Sequence, residues 1–334
     1  MNKFKNGNKL LFGLFWLPDS KKDELNKKIT DIKEDRNISG PQIWKRENHN
    51  VPPPSYFKLN EFTYAFQEIT NTYGVPSYKE VNPSVFGIVT FPFLFGVMFG
   101  DIGHGFLLFL FGVFICLTAE KLRDGALDAL VQARYLVLLM GFFATFNGIC
   151  YNDFMSLPIE GGTCYDIITK GKEEEAVLTQ DCVYGIGIDP TWYLASNDLN
   201  YINAFKMKMS VIFGVTQMTL GIFMKSFNAI YFGRLVDLFF EFLPQLFLLM
   251  CLFGFMDLLI IVKWLTDWSG NTGKAPSIIS IMINMFLNQG KVDEALAAPL
   301  IGSASTQQSI CIILLLISLI CIPTMLFVKP IYLN

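Results

Sequence analysis

Residues 85–118 read VFGIVTFPFLFGVMF-GDIGHG-FLLFLFGVFICLT, two uncharged apolar blocks on either side of a polar, glycine-rich break. Three glycines (Gly100, Gly103 and Gly105) within six residues require a helix break or a tight turn. The two blocks are therefore expected as helices near 85–99 and 106–118 that fold into a helical hairpin. The same texture recurs downstream, with apolar blocks at 135–151, 209–224, 235–262 and 310–328. A helix needs about 20 residues to cross a bilayer core. The blocks at 135–151 and 310–328 meet that length. So does 235–262, although it contains Asp237, Glu241 and Asp257. The blocks at 85–99, 106–118 and 209–224 are short, so re-entrant or buried helices stay open beside full spans. None shows the strict alternation of a membrane β-strand. The expected class is an all-α polytopic membrane protein, with about six transmembrane or membrane-embedded helices.

Residues 1–84 differ in character. They hold 13 Lys/Arg and 10 Asp/Glu, no long apolar run, and the Pro52-Pro53-Pro54 break. Leu10–Leu17 is too short an apolar stretch for a signal peptide. The expected division is a cytosolic N-terminal remnant and linker over 1–84 and a membrane domain over 85–334. Across all 334 residues, 52% are hydrophobic, 16% are charged and mean hydropathy is +0.41, a charge-poor chain against the roughly 25% of soluble domains. With 26 Lys+Arg against 29 Asp+Glu, the net charge of −3 excludes a nucleic-acid binder.

Charge placement orients the membrane domain. Cytoplasmic loops collect Lys and Arg. With the N-terminus in the cytoplasm and six alternating spans, Lys121, Arg123, Arg134, Lys225, Arg234 and Lys329 all fall inside. The 152–205 loop then falls on the lumenal side, where nine acidic residues outweigh Lys170 and Lys172. The second lumenal loop, 263–309, carries three lysines and fits less well. Cys164 and Cys182 lie in the acidic outer loop, and an oxidising lumen would allow them to pair. The other five cysteines sit in apolar segments as small hydrophobes. The single sequon, Asn37-Ile38-Ser39, lands on the cytoplasmic side as an incidental match.

Ionisable groups at membrane depth are costly and tend to serve ion pathways. Asp101 and His104 stand three apart, the spacing that puts two side chains on one side of a helix, where a carboxylate and an imidazole can pass a proton. A solvated turn explains them equally well. Asp153 follows the third block, where an interfacial carboxylate is the plain alternative. Lys206 and Lys208 open the fourth, where snorkelling to headgroups competes with balancing a nearby acid. Asp257 lies deep in the fifth block with no cation close in sequence. Gly96 and Gly100 form a small-xxx-small pair suited to close helix approach. No P-loop, Rossmann fingerprint, zinc spacing or nucleophile elbow occurs, and two histidines, His49 and His104, do not make a histidine-rich metal site.

Several stretches together resemble the a subunit of the vacuolar-type proton ATPase, the membrane stator that faces a rotating proteolipid ring. These are PPSYF at 53–57, FTYAFQEITNTYGVPSYKEVNP at 62–83, TFPFLFGVMFGDIGHG at 90–105, RYLVLLMG at 134–141, YNDF at 151–154, GIGIDPTW at 185–192, FKMKMSVIFGVTQM at 205–218 and APSIISIMINMFL at 275–287. They stand in family order over nearly everything after residue 50. LFGLFWLP at 11–18 is similar to a strand near the end of the family's cytosolic domain.

The resemblance implies a half-channel mechanism within the V0 sector of a rotary pump. A proton reaches a ring carboxylate from one side and leaves on the other, and an always-charged arginine separates the half-channels. It implies no cofactor and no ATP binding by this chain. The implied partners are the proteolipid c-ring, other V0 subunits, the cytosolic V1 sector through stator contacts, the transported proton and membrane lipid. The implied location is a vacuolar, endosomal or other acidified endomembrane. Matched residue by residue, Asp101, Asp153 and one of Lys206 and Lys208 fall at polar positions suited to the lumenal exit path; His104 matches the family turn without an assigned role. The family has further helices beyond the sixth and carries its essential arginine on the next, whereas the last arginine here is Arg234. The chain is therefore expected to be a fragment that does not pump alone. Gln217, commonly histidine in relatives, and Asp257, usually apolar, are further departures. A stand-alone ion channel or secondary carrier, and an inactive membrane scaffold, remain the alternatives.

Overall fold

A computed structural model describes residues 5–7, 10–36, 43, 52–123, 127–159, 161–170, 173–179, 182–194, 198–268, 272–291 and 298–333. The Asn37–Ser39 sequon, His49, Lys172, Glu160 and Asp181 lie outside the described residues. The helices are α1 (Lys22–Arg36), α2 (Glu61–Tyr73), α3 (Ser84–Phe99), α4 (Ile102–Leu122), α5 (Asp128–Gln132), α6 (Arg134–Tyr151), α7 (Asp198–Tyr231), α8 (Leu235–Leu265), α9 (Ile278–Leu287) and α10 (Ala304–Leu333). Strands are few. Lys5–Gly7 pairs antiparallel with Leu10–Phe12, and Tyr165–Lys170 with Glu173–Leu178 in the loop after α6. The chain is an all-α polytopic membrane protein.

Among the described residues, five helices are long and apolar enough to cross a membrane: α4, α6, α8, and the greater part of α7 and of α10. The shorter α3 and α9 are also apolar. Two of the short sequence blocks thus belong to longer helices. The 106–118 block extends to Ile102–Leu122 because Asp101 caps the helix directly after the break. The 209–224 block extends to Asp198–Tyr231 because Lys206 and Lys208 are good helix formers and do not end it. An apolar run marks the part of a helix in hydrocarbon and omits its polar ends. The loop expected over 263–309 contains α9, an apolar helix too short to stand out as a span.

The break at Gly100–Asp101 is present, but the expected hairpin is not. Helices α3 and α4 pack chiefly on α6 rather than on each other. Small residues set that geometry. A Cβ on Gly141 of α6 would lie 2.3 Å from the Phe109 backbone nitrogen on α4, and one on Gly96 of α3 would lie 2.6 Å from the Phe143 carbonyl of α6. The backbones therefore touch, as in other membrane helix pairs built on small residues.

A second group is formed by α7, α8, α9 and α10. Its core holds Phe255, Leu259, Ile260, Ile278, Ile281, Met285 and Cys311. Helix α8 widens into π turns at Leu238–Phe242 and Met250–Gly254. The first runs up to Pro244, whose ring and missing N–H disturb the regular ladder. At one end of this group Lys225 bonds Glu241 and Gln245, and Lys329 lies 3.0 Å from Asp237 and 2.7 Å from Glu241. Asp237 and Glu241 are thereby neutralised inside a span that the sequence alone shows as carrying bare acids.

Candidate functional site

The polar residues singled out in the sequence meet where the α3–α4 break abuts the end of α6. Asp101 is the N-cap of α4. Its Oδ1 accepts from the backbone nitrogens of Gly103 (2.7 Å), His104 (3.2 Å) and Met155 (3.1 Å), and its Oδ2 lies 2.6 Å from His104 Nδ1. A helix start leaves several N–H groups without intrahelical partners, and a carboxylate there satisfies two of them. The third bond ties the cap to the loop beyond α6. The His104 ring is half-exposed.

Asp153 reaches this point because α6 ends on Asn152 in the left-handed conformation (φ 54°). That turn is stabilised by the Asn152 side chain, which bonds the backbone of Ile159 and the carbonyl of Ile188. Asp153 then joins the break through its backbone, whose carbonyl accepts from Ile102 N at 2.9 Å. Its Oδ1 accepts from Ser156 N (2.9 Å), and its Oδ2 receives Lys206 Nζ at 2.9 Å. Lys206 Nζ also stands 5.0 Å from the centre of the Tyr151 ring. Both charged side chains are largely buried. The arrangement is thus a carboxylate and an ammonium in contact, held against an aromatic face, within a few bonds of a carboxylate–imidazole pair.

The chain matches the V-type ATPase 116kDa subunit family over residues 1–334. It belongs to that family. It is 35% identical over 352 residues to the V-type proton ATPase 116 kDa subunit a 1 of Mus musculus, covering 98% of this chain and 41% of that protein. Identity is 35% to the V-type proton ATPase subunit a of Schizosaccharomyces pombe, with 99% and 40% covered. It is 37% to the V-type proton ATPase subunit a1 of Arabidopsis thaliana, with 99% and 40% covered. The chain spans about 40% of the length of these relatives.

In this family member the two candidate lysines separate. Lys206 bonds Asp153, whereas Lys208 lies near enough to Lys263 to act on it electrostatically. Asp257 is far along α8, and among the described residues its buried Oδ1 has no hydrogen-bond partner. Cys164 and Cys182 are bonded to each other, with Cα atoms 5.5 Å apart. No group of three or more metal-ligating side chains is found among the described residues.

Sequence reasoning missed the residues that hold the site. Tyr151 donates its hydroxyl to Val97 O (2.9 Å) and takes Tyr193 OH on its own carbonyl (3.1 Å). Asp189 is buried in the loop after α6 and receives Cys164 N, Thr191 N and the Thr163 hydroxyl, each at 2.9 Å. Burial pushes the Asp189 carboxyl up, but these hydrogen bonds outweigh it and hold the group below its ordinary range. On the other face Glu61 of α2 bonds Arg134, the first residue of α6, and Arg123 lies 3.1 Å from the same carboxylate. Those guanidiniums, Arg134 first, hold the exposed Glu61 carboxyl below its usual value. The signals available were the aromatic-polar run Tyr151-Asn152-Asp153 and the acidic first turn of α2.

Proposed function

We propose that this chain supplies part of the membrane stator of a rotary proton-transporting ATPase and contributes to its lumenal proton exit path. The proposal includes its finer parts. Residues 1–84 lie in the cytosol, the 152–205 and 263–309 loops face the lumen of an acidified endomembrane, and the chain itself does not bind ATP. Its partners are the proteolipid c-ring, other membrane-sector subunits and the cytosolic V1 sector. The observation that carries the reading is the Lys206–Asp153 contact beside Asp101. A charged pair at a helix break and loop junction provides a polar step through an otherwise apolar surface, and such residues mark ion pathways.

Within this path the roles divide. Asp101 already accepts three backbone bonds and faces His104, so it positions the α4 start and the loop at Met155. Asp153 and Lys206 contact each other and present the polar surface. The test is ATP-driven acidification of vesicles carrying the assembled pump with D153N or K206A, measured beside ATP hydrolysis and subunit assembly. Loss of acidification with assembly intact supports a path role. Unchanged acidification in both variants overturns it, and loss of assembly alone favours the scaffold reading.

A further inference from the structure

Asp257 lies apart from that cluster, on the α8 face that borders α7. Between the two helices runs a groove of about 530 Å³, lined by Val215, Thr216 and Thr219 of α7 and Gly254, Asp257 and Leu258 of α8. The Oδ1 of Asp257 is enclosed and, among the described residues, unpartnered. Most of the charged side chains described on the elements packed around α8 are engaged elsewhere. On α7, Lys206 bonds Asp153 and Lys225 bonds Glu241 and Gln245. Lys208 lies towards Lys263, which donates to Pro276 O at 2.8 Å. On α10, Lys329 bridges Asp237 and Glu241 of α8 itself. Helix α9 has no titratable side chain, and the remaining groups are the phenols of Tyr201 and Tyr231 on α7 and Tyr332 on α10 and the thiols Cys251, Cys311 and Cys321, none of which lines the groove.

The threonines decide which form of the carboxyl suits this groove. Thr216 Oγ1 donates to Ile212 O and Thr219 Oγ1 to Val215 O, each at 2.8 Å. A hydroxyl has one hydrogen, so each threonine retains only acceptor lone pairs for the groove. A carboxylate needs donors, and among the described residues lining the groove no side chain offers one. A carboxylic acid carries its own donor and no charge, which removes the cost of an unpaired anion in an apolar setting. We propose that Asp257 is a proton-binding site inside the membrane domain, occupied at neutral pH and distinct from the Asp101–Asp153–Lys206 cluster. The site gives up its proton only in alkaline conditions. This assignment does not depend on the exit-path reading.

The test uses the full chain in lipid bilayers with 13C-labelled aspartate, comparing infrared spectra of wild type and D257N. The protonated-carboxyl carbonyl stretch is expected at neutral pH, and it should be lost in D257N. Only a carboxylate stretch in that difference would overturn the proposal. Adding Na+ at fixed pH is expected to leave the band unchanged; its conversion to the carboxylate band would make the groove a metal-cation site and equally overturn it. Should D257N fail to fold, an apolar carbodiimide provides a second readout on the unaltered chain. Such reagents modify protonated carboxyls, so labelling mapped by mass spectrometry is expected at Asp257 at neutral pH and lost in alkaline buffer. Labelling of Asp257 that does not fall in alkaline buffer counts against the site.

Discussion

Lys206 Nζ lies 2.9 Å from Asp153 Oδ2, joining the N-terminal part of α7 to the chain just beyond α6 across 53 positions of sequence. The pair links the two helix groups at one end, and each partner is mostly withdrawn from solvent. Removing the ammonium leaves a carboxylate with only the Ser156 N–H, and charge-assisted bonds of this kind are worth about 1.5–3 kcal/mol. K206A is expected to lower thermal stability by that order and K206R by less. K208A, which breaks no contact with Asp153, is expected to leave the melting temperature near wild type. Thermal denaturation in bilayers checks all three, and equal losses for K206A and K208A would contradict the assignment.

The close approach of α4 and α6 gives a second prediction. A Cβ on Gly141 would meet Phe109 N at 2.3 Å and Phe109 Cα at 2.6 Å, both backbone atoms that cannot swing aside. G141A is therefore expected to push the helices apart and cost about 1–3 kcal/mol, the usual range for overpacking. Gly221 on α7 has nothing within 4 Å of the same position. G221A should be neutral or stabilising, since alanine is the better helix former. Paired melting curves of the two variants decide the point.

How much was legible in the sequence follows from these cases. Apolar runs locate helices because hydrocarbon demands them, so every block became a helix, but their polar ends were invisible to that signal. Gly96 was readable as a packing residue, yet its partner was not: nothing in the residues 85–118 says that α3 and α4 each choose α6 over the other. The candidate carboxylates were legible because charge is rare here. Their partners were not, since Asp153 and Lys206 are brought together by the left-handed turn at Asn152 and the course of the loop between α6 and α7. The bond between Asp101 and Met155 N is equally a property of the fold, as a backbone donor has no sequence signature.

On the opposite face, Arg134 and Glu61 make an unequal pair. Arg134 is largely buried, donates to Val131 O at 3.1 Å, lies over the Tyr135 ring at 4.6 Å and bonds Glu61, whereas Glu61 is itself mostly exposed. R134A therefore removes packing as well as charge, and is expected to release α2 from α6 and expose the 52–60 linker to protease. E61Q removes an exposed charge that solvent screens, so its effect on melting should be small. Limited proteolysis with mass mapping distinguishes the two, and comparable cleavage in both variants would show that the ion pair alone holds α2.

The loop after α6 carries the last prediction, a pH dependence whose sign is set by Asp189. The Asp189 carboxyl is held below its ordinary 3.8 because the bonds from Cys164 N, Thr191 N, and the Thr191 and Thr163 side chains outweigh its burial. A group with a depressed folded-state pKa stabilises fully above its unfolded value and loses that contribution as pH falls through the lower folded value. The loop should thus keep its structure through mildly acidic conditions and loosen only below 3.8. In D189N the acid-dependent step is expected to disappear, with lower stability at neutral pH because an amide donor faces the same backbone N–H groups. The Cys164–Cys182 bond spans 18 positions and restrains the open loop, which for a closure of about that length contributes roughly 3 kcal/mol. Reduction should therefore raise the pH at which wild type loosens, while leaving the D189N profile flat. Hydrogen exchange at the backbone amides of Cys164 and Thr191, followed against pH with and without reductant, reads both effects. A wild-type profile already loosening well above 3.8 would remove Asp189 as its cause.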